Sequence, residues 1–256
     1  MNKVISADGT QIVYDKRGNG PALILVLGAL NKRGSGEKLA KQLADHFTVV
    51  SYDRRGRGDS TDTLPYGIEK EVDDLEALIN ELGGSTYLYG HSSGAVLALL
   101  AAQKLGKRVT GLALYEVPYN DDPEARKTAK LYRKNLEQAL EKDERGDAVE
   151  LFVSSVGVSD KQIAAMQRLP LWKSLTAMAP TLAYDTIEIM ERYSHIDTRD
   201  INTRTLVMYG TSSPAFMSQT AHKLSQDMPN ATLQPLEAQT HDVKADVLAP
   251  YLIDFF

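Results

Sequence analysis

The chain has 256 residues, 43% of them hydrophobic and 25% charged, with a formal net charge of -5. This length can bury the core of one large domain, and the composition is that of an ordinary soluble globular protein. No run of like charge is long enough to indicate a nucleic-acid surface or an acidic tail. The absence of cysteine excludes disulfides, a thiolate nucleophile and cysteine-ligated metals.

The apolar runs of the sequence are short. None approaches the ~20 residues of a membrane-spanning helix, and the longest, residues 95–102, fits a buried core helix. The first residues, MNKVISADGTQ, lack the apolar segment of a signal peptide. We therefore expect a cytoplasmic protein that does not associate with a membrane.

Strand and helix patterns alternate over the first half of the chain. Residues 3–18 predict two short strands joined by a hairpin turn at Asp8-Gly9, and the run PALILVLG at 21–28 is typical of a strand buried on both faces. The strands predicted after it are 48–53, 85–90 and 109–117, and the helices predicted between them are 35–47, 67–83 and 95–106. Such alternation predicts a parallel sheet covered by helices.

The alternation stops at about residue 121 and returns after residue 200. Between these points the pattern predicts four helices, at 123–146, 147–157, 159–169 and 179–193. A strand, a helix, a strand and a final helix follow, at 203–210, 214–228, 231–237 and 246–256. We therefore predict an α/β fold in which a core formed by 1–120 and 201–256 carries a helical lid inserted at 121–200.

The segment Gly90-His91-Ser92-Ser93-Gly94 matches the pattern G-x-S-x-G at a predicted junction of strand and helix. In that setting the pattern is typical of a turn that presents a serine nucleophile. Such a turn is strained, and the strand and the helix approach each other closely, so the flanking positions must lack side chains. Gly90 and Gly94 supply this clearance and leave Ser92 at the apex.

Four segments, in the same order along the chain, resemble the α/β-hydrolase superfamily. They are LVLGAL at 25–30, YDRRGRGDS at 52–60, GHSSG at 90–94 and QTHDV at 239–243. They are similar to the family's oxyanion loop, its D-x-R-G-x-G-x-S loop, its nucleophile turn and its histidine loop. The resemblance implies a mostly parallel sheet of eight strands with helices on both faces. The predicted insertion lies where lids are commonly found in this family.

The resemblance implies that Ser92 is a nucleophile, and a serine hydroxyl needs a base within hydrogen-bond reach. His241 follows the last predicted strand, at the carboxyl end of the sheet, where ligands bind in open α/β folds. The other histidines precede a strand, lie within the turn, close the insertion or fall within a helix: His46, His91, His195 and His222. We therefore expect His241 to be the base.

The acidic partner of this histidine departs from the family's usual pattern. The position after the seventh strand, where the family most often has an acid, is Ser213 in this chain. Some members carry the acid after the sixth strand, where this chain has Glu116, and a carboxylate there could hold the imidazole in its reactive tautomer. Glu116 could instead anchor the insertion through a salt bridge. Asp121 or Asp122 could then replace it, and a Ser-His dyad is a further alternative.

An oxyanion hole needs two backbone N–H donors directed at the developing charge. By resemblance to the family, the amides of Ala29 and Ser93 are the expected donors. The family often has His-Gly in the first of these loops, where this chain has Leu27-Gly28. A backbone donor survives such a change of side chain, although a hydrogen bond that orders the loop is lost.

Aromatic and methionine side chains occur throughout the insertion and at its entry. At helical spacing such residues more often pack a lid onto the core, but some could line an acyl pocket. They are Tyr119, Tyr132, Phe152, Met166, Trp172, Met178 and Tyr184. The side chains that we predict to contact the substrate are those of Leu30, His91, Tyr119 and Trp172.

Two short basic segments lie on the predicted catalytic side of the sheet. One is Lys32-Arg33, and the other contains Arg54, Arg55 and Arg57. We expect a solvated rim of charges there, because exposed charges usually contribute little beyond solubility. The alternative is that these side chains steer an anionic substrate towards the site.

Together these features predict a serine hydrolase that cleaves a small carboxylic ester, lactone or thioester through an acyl-enzyme on Ser92. A serine at the apex argues against the aspartate-dependent dehalogenase and epoxide-hydrolase branches. Carbon–carbon bond hydrolysis or a lyase reaction on the same Ser-His pair is one alternative, and a ligand-binding protein with slow turnover is another. We expect a small-molecule substrate, no cofactor, no metal, no nucleic-acid partner, and a monomer or homodimer.

Overall fold

The strands form one sheet in the computed structural model, which describes residues 1–120, 122–193 and 196–256, without the side chains of Glu188 and Arg192. They are β1 (Asn2–Ile5), β2 (Gln11–Arg17), β3 (Ala22–Val26), β4 (Thr48–Tyr52), β5 (Thr86–His91), β6 (Val109–Tyr115), β7 (Thr205–Gly210) and β8 (Ala231–Leu236). Their order is β1-β2-β4-β3-β5-β6-β7-β8. β2 pairs antiparallel with β1 and β4, and the other pairs are parallel. The predicted eight-stranded, mostly parallel sheet is therefore confirmed.

Helices connect most of these strands. They are α1 (Glu37–Leu43), α2 (Ile68–Glu81), α3 (Ser93–Leu105), α4 (Pro123–Glu141), α5 (Arg145–Ser155), α6 (Asp160–Met166), α7 (Pro170–Ala177), α8 (Met190–Tyr193), α9 (Ala215–Asp227) and α10 (Ala245–Phe255). Single 3₁₀ turns lie at Arg33–Gly36, Gly106–Arg108, Ala179–Thr181 and Thr198–Asp200, and Tyr184–Ile189 is a π-helical turn. In the described ranges, no helix is both long enough and apolar enough to cross a membrane.

The predictions for the second half of the chain need two corrections. The stretch 179–193 is not one helix but a 3₁₀ turn, a π-helical turn and α8 in succession. The spacing of apolar residues in this stretch does not predict the two turns, because the charged Asp185 is one of its buried residues. The sequence pattern also gives no prediction for α7, which has 8 residues and begins at Pro170. Proline is favoured in the first turn of a helix, so it starts this one rather than breaking it.

The two faces of the sheet carry separate apolar cores. Along β3, Ile24 and Val26 belong to the cluster formed with α2, α3 and α9. The alternate residues, Leu23 and Leu25, belong to the cluster formed with α1 and α10. Successive side chains of a strand point to opposite faces, so a strand covered on both sides is apolar at every position. This explains the continuous apolar run from which β3 was predicted.

Helices α4 to α8 lie between β6 and β7 in the chain, in residues 122–200, which we call the helical insertion. A third apolar cluster is buried there, formed by Leu136, Ala139, Ala148, Val149, Val153, Ile163, Leu175, Met178, Ala179, Leu182 and Ile187. The loop after β3 contributes Ala29 and Leu30 to its border. The division into a core and a lid stays a prediction. Two residues named from the sequence, Asp121 and His195, lie outside the described residues.

Candidate active site

Ser92 lies at a sharp bend between β5 and α3. Its backbone has φ 58° and ψ -130°, a conformation that is strained for a residue with a side chain. A Cβ on Gly94 would lie 2.2 Å from Val26 O, and a Cβ on Gly90 would lie 2.5 Å from Ala95 Cα. Close approach of strand and helix therefore requires both glycines, as the G-x-S-x-G pattern predicts.

The carboxylate of Glu116 and the imidazole of His241 meet at the same edge of the sheet. Glu116 directly follows β6 and His241 lies in the loop after β8, and 2.7 Å separate His241 Nδ1 from Glu116 Oε2. An ionised carboxylate only accepts hydrogen bonds, so Nδ1–H is the donor. The other carboxylate oxygen accepts from the Gly210 amide at 2.9 Å. Glu116 is buried, whereas the His241 side chain is 38% exposed, so the imidazole is held on one side and open on the other.

The charge of Glu116 depends on these contacts. Burial would raise its pKa more than any single contact lowers it, but the contacts together, led by the hydrogen bond from His241 and including the Gly210 amide, outweigh burial. The nearby Ser213 hydroxyl also lowers this pKa, although within the described residues Ser213 Oγ has no partner in hydrogen-bond geometry. The pKa of Glu116 therefore lies below its usual value, and the group is ionised at neutral pH. Its carboxylate thus stands beside Ser213, the position where the family most often has its acid.

The alternative acids have less support from the geometry. Asp122 is the N-cap of α4, and its carboxylate accepts from the amides of Glu124 and Ala125. Its side chain is therefore engaged in starting the helix. Asp121 lies outside the described residues. Of the carboxylates proposed from the sequence, Glu116 is the one that contacts His241 within the part of the chain that is described.

Two side chains hold the loop that carries His241. The Tyr115 hydroxyl donates to Thr240 O at 2.6 Å, and His91 Nε2 lies 2.9 Å from His241 O. Burial lowers the pKa of His91 to about 3, and the neighbouring His241 acts in the same direction. His91 is therefore neutral and donates through Nε2–H. The sequence predicts His91 as a substrate contact, whereas the structure places it beneath the histidine loop.

The loop after β3 passes close to Ser92. A Cβ on Gly28 would lie 2.8 Å from Ser92 Cβ and 3.3 Å from its Oγ. Within the described residues, the amides of Ala29 and Ser93 donate no hydrogen bond. Ser93 is also the first residue of α3, where the helix dipole favours negative charge. Two N–H groups without an acceptor, one in this loop and one directly after Ser92, are suited to bind a developing oxyanion.

Two residues to which the sequence pattern gave no such role fix the shape of this loop. Asn31 Nδ2 donates to Ala29 O at 3.0 Å, and Arg54 Nη1 donates to Leu27 O at 3.3 Å. Both contacts fix carbonyl groups of the loop. They therefore supply an ordering that we expected to be lost because the family's histidine is absent. The only signals in the sequence were the position of Asn31 in the loop and that of Arg54 in the segment 52–60.

The predicted substrate contacts belong to different parts of the molecule. Leu30 and Trp172 pack against the apolar cluster of the helical insertion. Tyr119 instead packs against the core cluster that contains α3, with its ring centroid 4.7 Å from that of Tyr193. The structure therefore brings Leu30 and Trp172 to one cluster and places Tyr119 in another, and their contact with substrate stays a prediction.

The predicted solvated rim of arginines is wrong. Arg54, Arg55 and Arg57 are 2%, 0% and 1% exposed. Arg54 pairs with Glu71 and Asp185, Arg57 with Asp185, and Arg55 with Asp74 and Asp8. Carboxylates neutralise these three charges, so the arginines do not steer an anionic substrate either. Among the described residues, no group of three or more His, Cys, Asp or Glu side chains could hold a metal ion.

Comparison with known proteins supports this description. A sequence model of the alpha/beta hydrolase family matches residues 29–251. The chain is 44% identical to an alpha/beta hydrolase of known structure from Sphaerobacter thermophilus DSM 20745, with a TM-score of 0.87 and 100% of each chain covered.

Curated relatives match over shorter stretches. Over 102 residues, 38% of each chain, the identity to an uncharacterized hydrolase of Bacillus subtilis (strain 168) is 35%. Over 118 residues, 44% of each chain, the identity to N-formylmaleamate deformylase of Pseudomonas putida is also 35%. The chain thus spans less than half the length of these curated relatives.

Proposed function

Because the chain belongs to the alpha/beta hydrolase family, we propose that it is a serine hydrolase that cleaves a small carboxylic ester, lactone or thioester through an acyl-enzyme on Ser92. The observation that carries the proposal is the 2.7 Å hydrogen bond between His241 and the buried carboxylate of Glu116. It forms at the sheet edge where the strained turn presents Ser92. A hydroxyl, an imidazole and a carboxylate in these roles are the parts of a catalytic triad.

In this reaction Ser92 Oγ attacks the carbonyl carbon while its proton passes to His241 Nε2. Glu116 keeps the proton of the free imidazole on Nδ1 and stabilises the imidazolium that forms. Collapse of the tetrahedral intermediate expels the alcohol or thiol, which takes the proton from Nε2. Water then attacks the acyl carbon and gives a proton to His241, and the carboxylic acid leaves as Ser92 Oγ regains that proton.

One further feature of the site supports this sequence of steps. The amides of Ala29 and Ser93 would bind the oxyanion, and loss of one such donor typically costs about 10²–10³ in kcat. Within the described residues, Ser92 Oγ makes no hydrogen bond. Catalytic hydrogen bonds are often long in the free enzyme, so we expect the contact with His241 to form when substrate binds.

The border of the helical insertion supports a partly apolar substrate. Leu30 and Trp172 pack against its apolar cluster near the loop that carries Ala29, which favours a partly apolar acyl group. The name of the Pseudomonas putida relative indicates removal of a formyl group. An N-formyl amide therefore belongs in the substrate panel beside esters, lactones and thioesters.

The test compares the wild-type protein with Ser92→Ala on p-nitrophenyl acetate and butyrate. Ser155→Ala, at the exposed end of α5, is the matched control. We expect Ser92→Ala to lower kcat by at least about 10³-fold, as removal of a triad nucleophile does, and the control to keep full activity. An alkyl fluorophosphonate should label Ser92, identified by peptide mass spectrometry. Undiminished turnover by Ser92→Ala would refute the proposal.

The same experiment separates the alternatives. Turnover of a carbon–carbon substrate that needs Ser92 but leaves no acyl adduct would favour the hydrolase or lyase acting on such bonds. Negligible turnover across the panel, with a ligand that raises the melting temperature, would favour a binding protein. The contact between Glu116 and His241 weakens the binding-protein alternative, because it supplies an acid for the histidine although residue 213 is a serine.

A further inference from the structure

A buried carboxylate of the helical insertion reaches the residue next to the nucleophile. Asp185 lies in the π-helical turn Tyr184–Ile189 and is 1% exposed. Its Oδ1 accepts from Ser93 Oγ at 2.7 Å and from Arg54 Nη1 at 2.7 Å, and its Oδ2 accepts from Arg57 Nη2 at 2.6 Å. Ser93 is thus tied through its side chain to the insertion, while its amide lies at the start of α3.

The same carboxylate is connected to the loop after β3. Arg54 Nη1, which contacts Asp185, also donates to Leu27 O at 3.3 Å. Leu27 directly precedes Gly28, whose added Cβ would meet Ser92, and Ala29 follows. One Asp185 oxygen therefore contacts Ser93 directly and the loop of Ala29 through a single guanidinium. These are the two segments that carry the proposed oxyanion donors.

The other side of Arg54 is held in place as well. Glu71 of α2 accepts two hydrogen bonds from it, at 2.8 and 2.7 Å, and the Tyr66 hydroxyl donates to Glu71 Oε1 at 2.9 Å. Burial would raise the pKa of Glu71, but the charge and hydrogen bonds of Arg54, together with the charge of Arg57 and the hydrogen bond from Tyr66, hold that pKa below its usual value. Arg54 is therefore a fixed cation between two carboxylates and has little freedom to leave the Leu27 carbonyl.

We propose that Asp185, a residue of the helical insertion, is a positioning residue for the oxyanion hole. It sets the distance between the Ala29 and Ser93 amides. This inference rests on the proposed function. Ion pairs with Arg54 and Arg57 would suffice to anchor the insertion to the core. The additional hydrogen bond from Ser93 Oγ links that anchor to the residue whose amide faces the oxyanion.

The test removes this hydrogen bond without disturbing the ion pairs. Ser93→Ala should lower kcat for p-nitrophenyl butyrate about 10-fold, less than the loss of a whole donor, because the Ser93 amide remains. KM should stay within about twofold, since the contact acts mainly on the transition state. Ser93→Thr keeps a hydroxyl at this position and should recover most of the lost kcat.

Thr86→Val is the matched control, because it removes a buried hydroxyl that donates to Ala22 O at 3.0 Å at the amino end of β5, outside this network. It should lower the melting temperature about as much as Ser93→Ala but leave kcat within about twofold. Equal kcat for Ser93→Ala and wild type, or equal losses in Ser93→Ala and Thr86→Val, would overturn the inference. These outcomes leave the proposed function intact, whereas activity independent of Ser92 would overturn the proposed function itself.

Discussion

Two groups of ionisable side chains lie near Ser92, and they differ in how much of them is exposed to solvent. In the pair formed by Glu116 and His241, the carboxylate is buried but the imidazole is 38% exposed. In the group formed by Arg54, Arg57, Glu71 and Asp185, no side chain is more than 2% exposed. A group of charges that is buried on all sides joins elements of the fold. A pair with one open side can exchange a proton with a bound molecule, so exposure distinguishes a candidate site from an anchor.

The largest expected effect on stability comes from opening the closed group. Arg54→Met leaves the carboxylates of Glu71 and Asp185 without their shared cation, which should lower the free energy of unfolding by about 3–5 kcal/mol. Arg145→Met removes an exposed partner of Asp143 and should change it by less than about 1 kcal/mol. Urea unfolding followed by circular dichroism measures both. Similar losses in the two variants would contradict the assignment of the closed group as an anchor.

A smaller effect should follow from filling the bend at Ser92. Gly94 and Gly146 are the second residues of α3 and α5, but only Gly94 faces a backbone atom within 3 Å of an added Cβ. Gly94→Ala should therefore cost about 1–3 kcal/mol through overpacking, whereas Gly146→Ala should be neutral or stabilise the protein by up to about 1 kcal/mol. Thermal unfolding of the two variants checks this. Tolerance of alanine at residue 94 would show that the bend relaxes.

The smallest effect concerns the support of the histidine loop and depends on pH. The pKa of His91 is about 3 when folded and 6.5 in its ordinary state. Between these values the unfolded chain binds a proton that the folded protein does not, so stability falls as the pH decreases from 6.5. His91→Gln removes this titration and keeps an N–H donor. When the pH is lowered from 7.5 to 5.5, the free energy of unfolding of the wild type should decrease by about 1 kcal/mol more than that of the variant.

Unfolding curves at these two pH values provide the measurement. Burial raises the pKa of Asp74 to about 6, but this group is present in both proteins and its contribution cancels in the comparison. Parallel loss of stability in wild type and His91→Gln would mean that His91 is already able to take up a proton in the folded protein. Its ring would then be accessible and would not be fixed beneath the loop of His241.

The alternation of strands and helices was sufficient to predict most of the fold. β3 has apolar residues at every position because both of its faces are covered, and the glycines around Ser92 mark a close approach that no side chain permits. These are local constraints, and they leave a local pattern. The contact of Glu116 with His241 was one of the alternatives that the family resemblance left open, and it forms because the carboxyl ends of β6 and β8 lie at the same edge of the sheet.

The burial of the arginines could not be predicted in the same way. Arg54 and Arg57 belong to a short basic segment whose sequence is typical of an exposed loop. Their partners Glu71 and Asp185 are separated from them in the sequence. Asp185 lies in a turn whose spacing predicts an ordinary helix. Pairing of buried charges is a tertiary property. It depends on how the insertion packs against α3 and leaves no local pattern in the sequence.

The proposed function requires Glu116 to be the acid that orients His241 for Ser92. In Glu116→Gln, the Gly210 amide should select the carboxamide oxygen, since it donates to this side chain at 2.9 Å in the wild type. The carboxamide NH₂ would then donate to His241 Nδ1 and force the proton onto Nε2, where the base must be free.

The most direct measurement is therefore kcat for p-nitrophenyl butyrate in wild type, Glu116→Gln and Glu237→Gln, the last being an exposed glutamate in the same region after β8. We predict that kcat falls about 10²–10⁴-fold in Glu116→Gln and stays unchanged in Glu237→Gln, with both variants folded by circular dichroism. Wild-type kcat in folded Glu116→Gln, while Ser92→Ala is inactive, would contradict the assignment of Glu116 as the acid.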